Sequence, residues 1–230
     1  MNKKIPTIRP AAQARLLLYR LLSSHLVDNV EKILLEPFST WDKILGELEN
    51  SIMANFSDSS EISILTTAFL FIEKSTKQDL DRQLMKVAGE KLWLGVFPQG
   101  LLDNFIKEHV QLIKNVRLEH LNKIALSLQR SLRHGLLQKE IAKDIQVITD
   151  FNKKKARLIA RNAPLQYSGA LTKHHQTSAG IKKYRWQTSQ DERVRESHQK
   201  LNGKIFNWSD KRNHPRSEIN CRCDAIPILN

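Results

Sequence analysis

Apolar residues recur through the first 150 positions at intervals of three and four, the period of a helix face. Leu18, Leu22, Leu26, Val30, Ile33 and Leu34 mark such a face within Ala11 to Leu35, and Pro37 ends it because proline has no N–H to donate. Thr40 is placed to cap a next helix through Trp41, Ile44, Leu45, Leu48 and Ile52. After a polar break at 55–60 the helical pattern resumes from Ser60 to about Leu94, open to interruption near Lys74 to Lys77. A turn follows over Gly95 to Gly100. Three further helices are expected, Leu101 to Val116, Leu118 to His134 and Leu137 to Phe151, with Gly135 as a C-terminal cap between the last two.

The pattern changes after residue 151. Lys153 to Ser178 still reads as helix, with a break or kink expected at Pro164. Ile181 to Thr188 fits a strand imperfectly through Ile181, Tyr184, Trp186 and Thr188, and Lys204 to Trp208 reads as a second. Cys221 to Leu229 reads as a third, which Pro227 confines to an edge. Between the first two strands, Asp191 to Leu201 suits a short helix capped by Ser189. The fold class is therefore mainly α: a helical region, 1–151, followed by a small α+β module, 152–230.

Composition is that of a globular protein, 40% hydrophobic and 27% charged. No apolar run reaches the ~18 residues of a membrane span, and no signal peptide is expected at the N-terminus. A soluble protein assembled in a cytoplasm is the expectation. Charge alters the picture more. The chain carries +13, and residues 151–230 hold 17 Lys/Arg against 6 Asp/Glu. A basic final third points to a polyanion or an acidic protein surface as its neighbour, or else to a merely solvated face. Lys153, Lys154, Lys155, Arg157, Arg161, Lys182, Lys183 and Arg185 are the candidate DNA- or partner-binding residues. Lys173, Lys211, Arg212 and Arg216 extend the same set. Such contacts give affinity without reading sequence, and no base-reading motif is present.

Three groups of residues invite chemistry. Trp186, Gly203 and Phe206 have structural jobs, Trp186 filling a core and Gly203 supplying a turn with positive φ. Asp191, Arg193, Arg195 and His198 share a short segment and suit a structural polar network, with an acid–base constellation around His198 as the alternative. The two cysteines, Cys221 and Cys223, stand one residue apart, too close for an unstrained bridge. With His198 and His214 they form a candidate zinc set, two thiolates and two imidazoles, in which Asp191 can replace His214. The competing reading makes both cysteines small core residues. His174 and His175 are expected to be exposed. A structural zinc is the one cofactor the sequence suggests.

The run from Gly180 to His198 contains a Trp, then Asp with Arg-x-Arg, then His. It continues through Gly203 with Phe206, His214-Pro215, and closes on Asn220-Cys-Arg-Cys223 and Pro227. This string resembles the phage Mu F-protein-like minor head proteins of tailed bacteriophages. Arg157 to Arg161 is similar to that family's Ala/Arg-rich helix. The chain departs just after it, where Asn162-Ala163-Pro164 stands in place of a frequent acidic residue. The resemblance spans roughly 137–229.

The resemblance implies a virion protein acting in head morphogenesis, assembled in the host cytoplasm and located in the head near the portal vertex. The portal protein is the implied partner, with the major capsid or scaffold protein and packaged double-stranded DNA as further ones, and no membrane. A structural rather than enzymatic role follows. The alternative is a small basic nuclease or toxin-like enzyme using His198 with Arg193, Arg195 or Asp191.

Overall fold

The computed structural model describes residues 12–35, 46, 50, 58–134 and 138–229. In chain order these form helices α1 (Ala12–Leu35), α2 (Asp58–Ala88), α3 (Gln99–Arg133) and α4 (Gln138–Ser178). Strand β1 (Lys183–Gln187), the short helix α5 (Glu196–Gln199), β2 (Ile205–Asn207) and β3 (Asp224–Ile228) complete the chain. The architecture is mainly α with a small α+β module at the C-terminal end, as the periodicity predicts. The expected helix around Trp41 to Ile52 and the expected cap at Gly135 lie outside the described residues.

Four expected interruptions of helix are absent. The buried positions of α3 run Leu102, Ile106, His109, Ile113, Val116, His120, Ile124 and Leu128, crossing 116–118 without a change of face. One helix therefore stands where two were expected, because a continuous buried stripe outweighs a local dip in pattern. The same holds in α2, which passes through Lys74 to Lys77. In α4 the stripe runs Ile141, Ile145, Thr149, Asn152, Ala156, Ala160, Ala163, Tyr167 and Leu171, so burial on both sides of Pro164 carries the helix through it. That helix is likewise continuous through residue 151.

The chain divides into two compact units. One comprises 16–66 and 103–160. Its interior holds an ion pair between Arg117 and Glu61 at 2.8 Å, both side chains almost wholly buried. Asn152 also approaches the ring of His120 at 2.6 Å. On its surface Lys123 and Lys155 both pair with Glu119, whose carboxyl they hold down at about 2.

The other unit comprises 1–15, 67–102 and 161–230 and contains the sheet. β1 is central in the order β2-β1-β3 and antiparallel to both neighbours. Tyr184 pairs with Phe206 on one side and Pro227 on the other, and Trp186 with Ala225. β3 is the edge strand expected from Pro227, which lacks the N–H for a further ladder. Alternation along β1 turns Tyr184 and Trp186 inward and leaves Lys183 and Arg185 exposed. The inward residues form a cluster with Trp208, Cys221, Cys223 and Ala225, and Leu201 and Phe206 pack against it. A second cluster, Leu80, Leu84, Leu94 and Ile181, joins α2 to the start of β1.

Helix α4 is tied to the sheet by polar contacts. Gln176 donates to the Ala225 carbonyl at 2.8 Å and accepts from the Trp208 indole at 3.1 Å. His175 is buried, against the expectation of exposure, and its Nδ1–H donates to the Leu94 carbonyl at 2.7 Å. It lies on the same α4 face as Thr172 and Gln176, which the surrounding elements cover. The periodicity of Leu171 could have indicated this.

Candidate functional site: a sulfur and imidazole cluster beside an arginine cleft

The loop between β1 and β2 does not begin a helix at Asp191. The Asp191 carboxylate accepts the Arg193 N–H at 3.1 Å, and the Val194 N–H bonds the Asp191 carbonyl, which closes a turn. Helix α5 therefore starts only at Glu196, with Arg195 as its N-cap residue and no side-chain cap. This delay sets where His198 points. The ring is buried, edge-on to Trp186 with centroids 5.3 Å apart.

The segment carrying the cysteines also departs from a strand. Asn220 adopts φ 60° and Arg216 φ 71°, left-handed conformations that turn the chain twice before β3 begins at Asp224. Asn162 of α4 accepts the Asn220 N–H at 2.9 Å. The turns bring both sulfurs onto one atom. His198 Nδ1 is 3.6 Å from Cys221 Sγ and 3.5 Å from Cys223 Sγ.

The other ring nitrogen, Nε2, is 3.3 Å from Glu218 Oε2. A proton on Nε2 donated to that carboxylate leaves the Nδ1 lone pair facing the sulfurs. Glu218 is itself held by Arg195 Nη1 at 2.6 Å and by Asn213 at 3.1 Å. The hydrogen bond between the two sulfurs holds the Cys221 thiol well below its ordinary range and pushes Cys223 up. The Arg216 N–H donates to Cys221 Sγ at 3.2 Å and lowers it further.

His214 is elsewhere. Its Nδ1 is 2.9 Å from the Tyr184 hydroxyl, and it packs against Trp208 with ring centroids 5.0 Å apart. Burial, with Lys173 and Arg212 nearby, lowers its pKa. Burial also pushes Tyr184 up to about 12. Asp191 pairs bidentately with Arg222 at 2.6 and 2.8 Å. Of the four residues of the expected polar network, Arg195 and His198 are thus joined through Glu218, while Asp191 turns to Arg222 and to the Arg193 backbone.

A cleft of about 650 Å³ lies next to this segment, lined by Arg15, Arg161, Arg193, Arg222 and Asn220, with Pro164 and Leu165 at its wall. Among the candidate binding cations, Arg161 lines the cleft, and Lys182, Lys183 and Arg185 are exposed along β1. In the other unit Lys154 is exposed, Lys155 pairs with Glu119, Lys153 lies 3.6 Å from Asp150, and Arg157 stands over the Tyr19 ring. Arg216 was expected to reach solvent with the other basic residues; instead it is buried against Asp224. Sequence reasoning missed this partner because the two are bridged by a turn that no local pattern announces. Arg212 caps the Phe206 ring at 3.8 Å.

Fold and site describe a mainly helical, basic protein with a small module centred on sulfur and imidazole. Residues 122–226 match the family described as Phage Mu protein F like protein. An uncharacterized protein of Haemophilus influenzae (strain Rd) is 38% identical over 124 residues, covering 53% of this chain and 28% of that protein. The minor head protein GP7 of Bacillus phage SPP1 is 24% identical over 136 residues, 52% of this chain and 44% of that protein. The chain thus spans less than half the length of these relatives. No solved structure matches it significantly. Among the described residues, no helix is long and apolar enough to cross a membrane.

Proposed function

We propose that this chain is a minor head protein of a tailed bacteriophage, built into the head near the portal vertex, where it supports head morphogenesis and contacts packaged DNA. The observation that carries the head role is the family match over 122–226, which includes the histidine and both cysteines. The name of the SPP1 relative supports it. In this reading the helical region, 1–151, faces the portal protein, and 152–230 faces DNA. The capsid or scaffold protein is a further neighbour.

The DNA contact rests on the arginine cleft, to which 152–230 supplies Arg161, Arg193 and Arg222 and the N-terminal region adds Arg15. Four guanidiniums around one depression, with Asp191 partnering Arg222, leave a strongly positive lining. Phosphates fit such a lining through charge-assisted hydrogen bonds. The enzyme reading has less behind it. Both ring nitrogens of His198 are engaged, one by Glu218 and one by the sulfurs, so neither is presented to a substrate as an acid or base.

Purified heads and a portal pull-down test the proposal. The full chain should be found in heads by mass spectrometry and should co-purify with the portal protein of the same phage. Absence from heads, with no portal captured, overturns it. Cleavage of DNA or RNA that disappears in His198→Ala would favour the enzyme instead.

A further inference from the structure

The core reading of the cysteines and the metal reading differ in what should surround the sulfurs. Core thiols are met by carbon. Here both sulfurs, although within the buried cluster, are also met by nitrogen. Cys221 Sγ receives the Arg216 N–H, and both sulfurs lie 3.5–3.6 Å from Nδ1 of His198. The Arg216 N–H aimed at Cys221 Sγ favours a thiolate there, the form that binds metal.

The distances discriminate further. In a tetrahedral site with Zn–S of about 2.3 Å and Zn–N of about 2.0–2.1 Å, the N···S edge is about 3.6 Å. The observed edges are 3.6 and 3.5 Å, and all three ligand atoms lie within 4.8 Å of one another. The Glu218 carboxylate on the far nitrogen completes the carboxylate–imidazole arrangement that orients metal-bound histidine.

From this we infer that His198 Nδ1, Cys221 Sγ and Cys223 Sγ bind one zinc ion, with Glu218 as a positioning residue. Two thiolates and an imidazole select a soft, tetrahedral divalent ion. Among the described residues, no fourth His, Cys, Asp or Glu joins the group. The fourth position falls to water, which reaches the cluster through a cavity of about 200 Å³ lined by Ser189, Arg193, Val194 and Asn220. The ion joins the β1–β2 loop to the segment before β3, beside the Arg195–Glu218 and Asp191–Arg222 pairs that also link them. Its role is to hold the module together. This assignment does not depend on the head role.

The full chain, purified without a tag from zinc-supplemented cells, should carry one zinc per chain. Replacement by cobalt(II) should give tetrahedral d–d bands with thiolate charge transfer. Cys221→Ser and Cys223→Ser should lose the metal. Because those variants can also misfold, Glu218→Gln provides the second arm. It leaves all three ligands in place and should weaken zinc affinity by about 10–100-fold, read by chelator competition. A folded wild-type chain that carries no zinc and gives no cobalt spectrum overturns the assignment, as does unchanged affinity in Glu218→Gln.

Discussion

Arg216 and Asp224 form a buried ion pair, Nη2 to Oδ1 at 2.6 Å, with the guanidinium also donating to Ser168 Oγ at 2.6 Å and to the Cys223 carbonyl at 3.3 Å. The contact locks the cysteine segment to helix α4. Removing one partner leaves a buried charge without compensation, which costs far more than the pair contributes. Arg216→Met should destabilise the chain by about 3–5 kcal/mol, measured by urea unfolding with tryptophan fluorescence. Adding Asp224→Leu to that variant should recover part of the loss. A loss below ~1 kcal/mol in the single variant would show that the pair is not buried in solution.

The same contact needs a glycine on the helix. A Cβ at Gly169 would stand 2.8 Å from Arg216 Cβ and 3.0 Å from the Pro215 carbonyl oxygen. Neither atom is the end of a flexible side chain. Gly169→Ala should therefore cost about 1–3 kcal/mol despite the better helix propensity of alanine. Gly100, near the start of α3, meets nothing within 4 Å. Gly100→Ala should be neutral or gain up to about 1 kcal/mol. Equal thermal shifts in the two variants would contradict this account.

His175 makes stability depend on pH. Burial is the main cause of its lowered pKa. The Leu94 carbonyl and Asp81 oppose that shift, and His174 and Lys77 add to it. Its Nε2 is buried and has no partner among the described residues, so protonation there is costly. The folded value lies below the unfolded one, so the unfolded chain binds the extra proton first. The contribution is present above about pH 6.5 and is lost as pH falls below it, at no more than about 1.4 kcal/mol per pH unit. His109, buried on α3 with its pKa lowered mainly by burial, acts in the same direction. Urea midpoints between pH 7.5 and 5 should fall in the wild type and fall less in His175→Asn. Parallel curves would remove His175 from the explanation.

The arginine cleft predicts a salt-dependent affinity for duplex DNA. Each phosphate contact adds about 0.9 to the slope of log K against log salt. Arg161→Ala and Arg193→Ala should each reduce that slope by about 1, while Lys200→Ala, on an exposed helix pair with Glu196, should not. Binding insensitive to salt would rule out phosphate contacts in the cleft.

The architecture was largely legible in the sequence because its determinants are local. Spacing of three and four made the long helices visible, alternation marked β1, and Pro227 confined β3 to an edge. Gly203 was expected at positive φ and has φ 80°. Helix continuity was underestimated at 74–77 and 116–118, where the chain alone shows no reason to continue and burial supplies one. Helix α5 was overestimated because Asp191 was read as a helix residue, when its carboxylate is used by a turn and by Arg222.

By itself, the sequence determined the elements, the basic bias of the final third, and that two thiols one residue apart would not be a disulfide framework. Only the tertiary structure decided which histidine meets those thiols. His214 is seven positions from Cys221 and lies against Tyr184; His198 is twenty-three positions away and meets both sulfurs. Likewise Arg216, one of many cations along the chain, became a buried anchor against a helix glycine 47 positions earlier. The physical reason is the same in both cases. Side-chain direction here is set by backbone turns at Arg216 and Asn220 and by the pairing of β1 with β3, and those hold only once distant segments have packed.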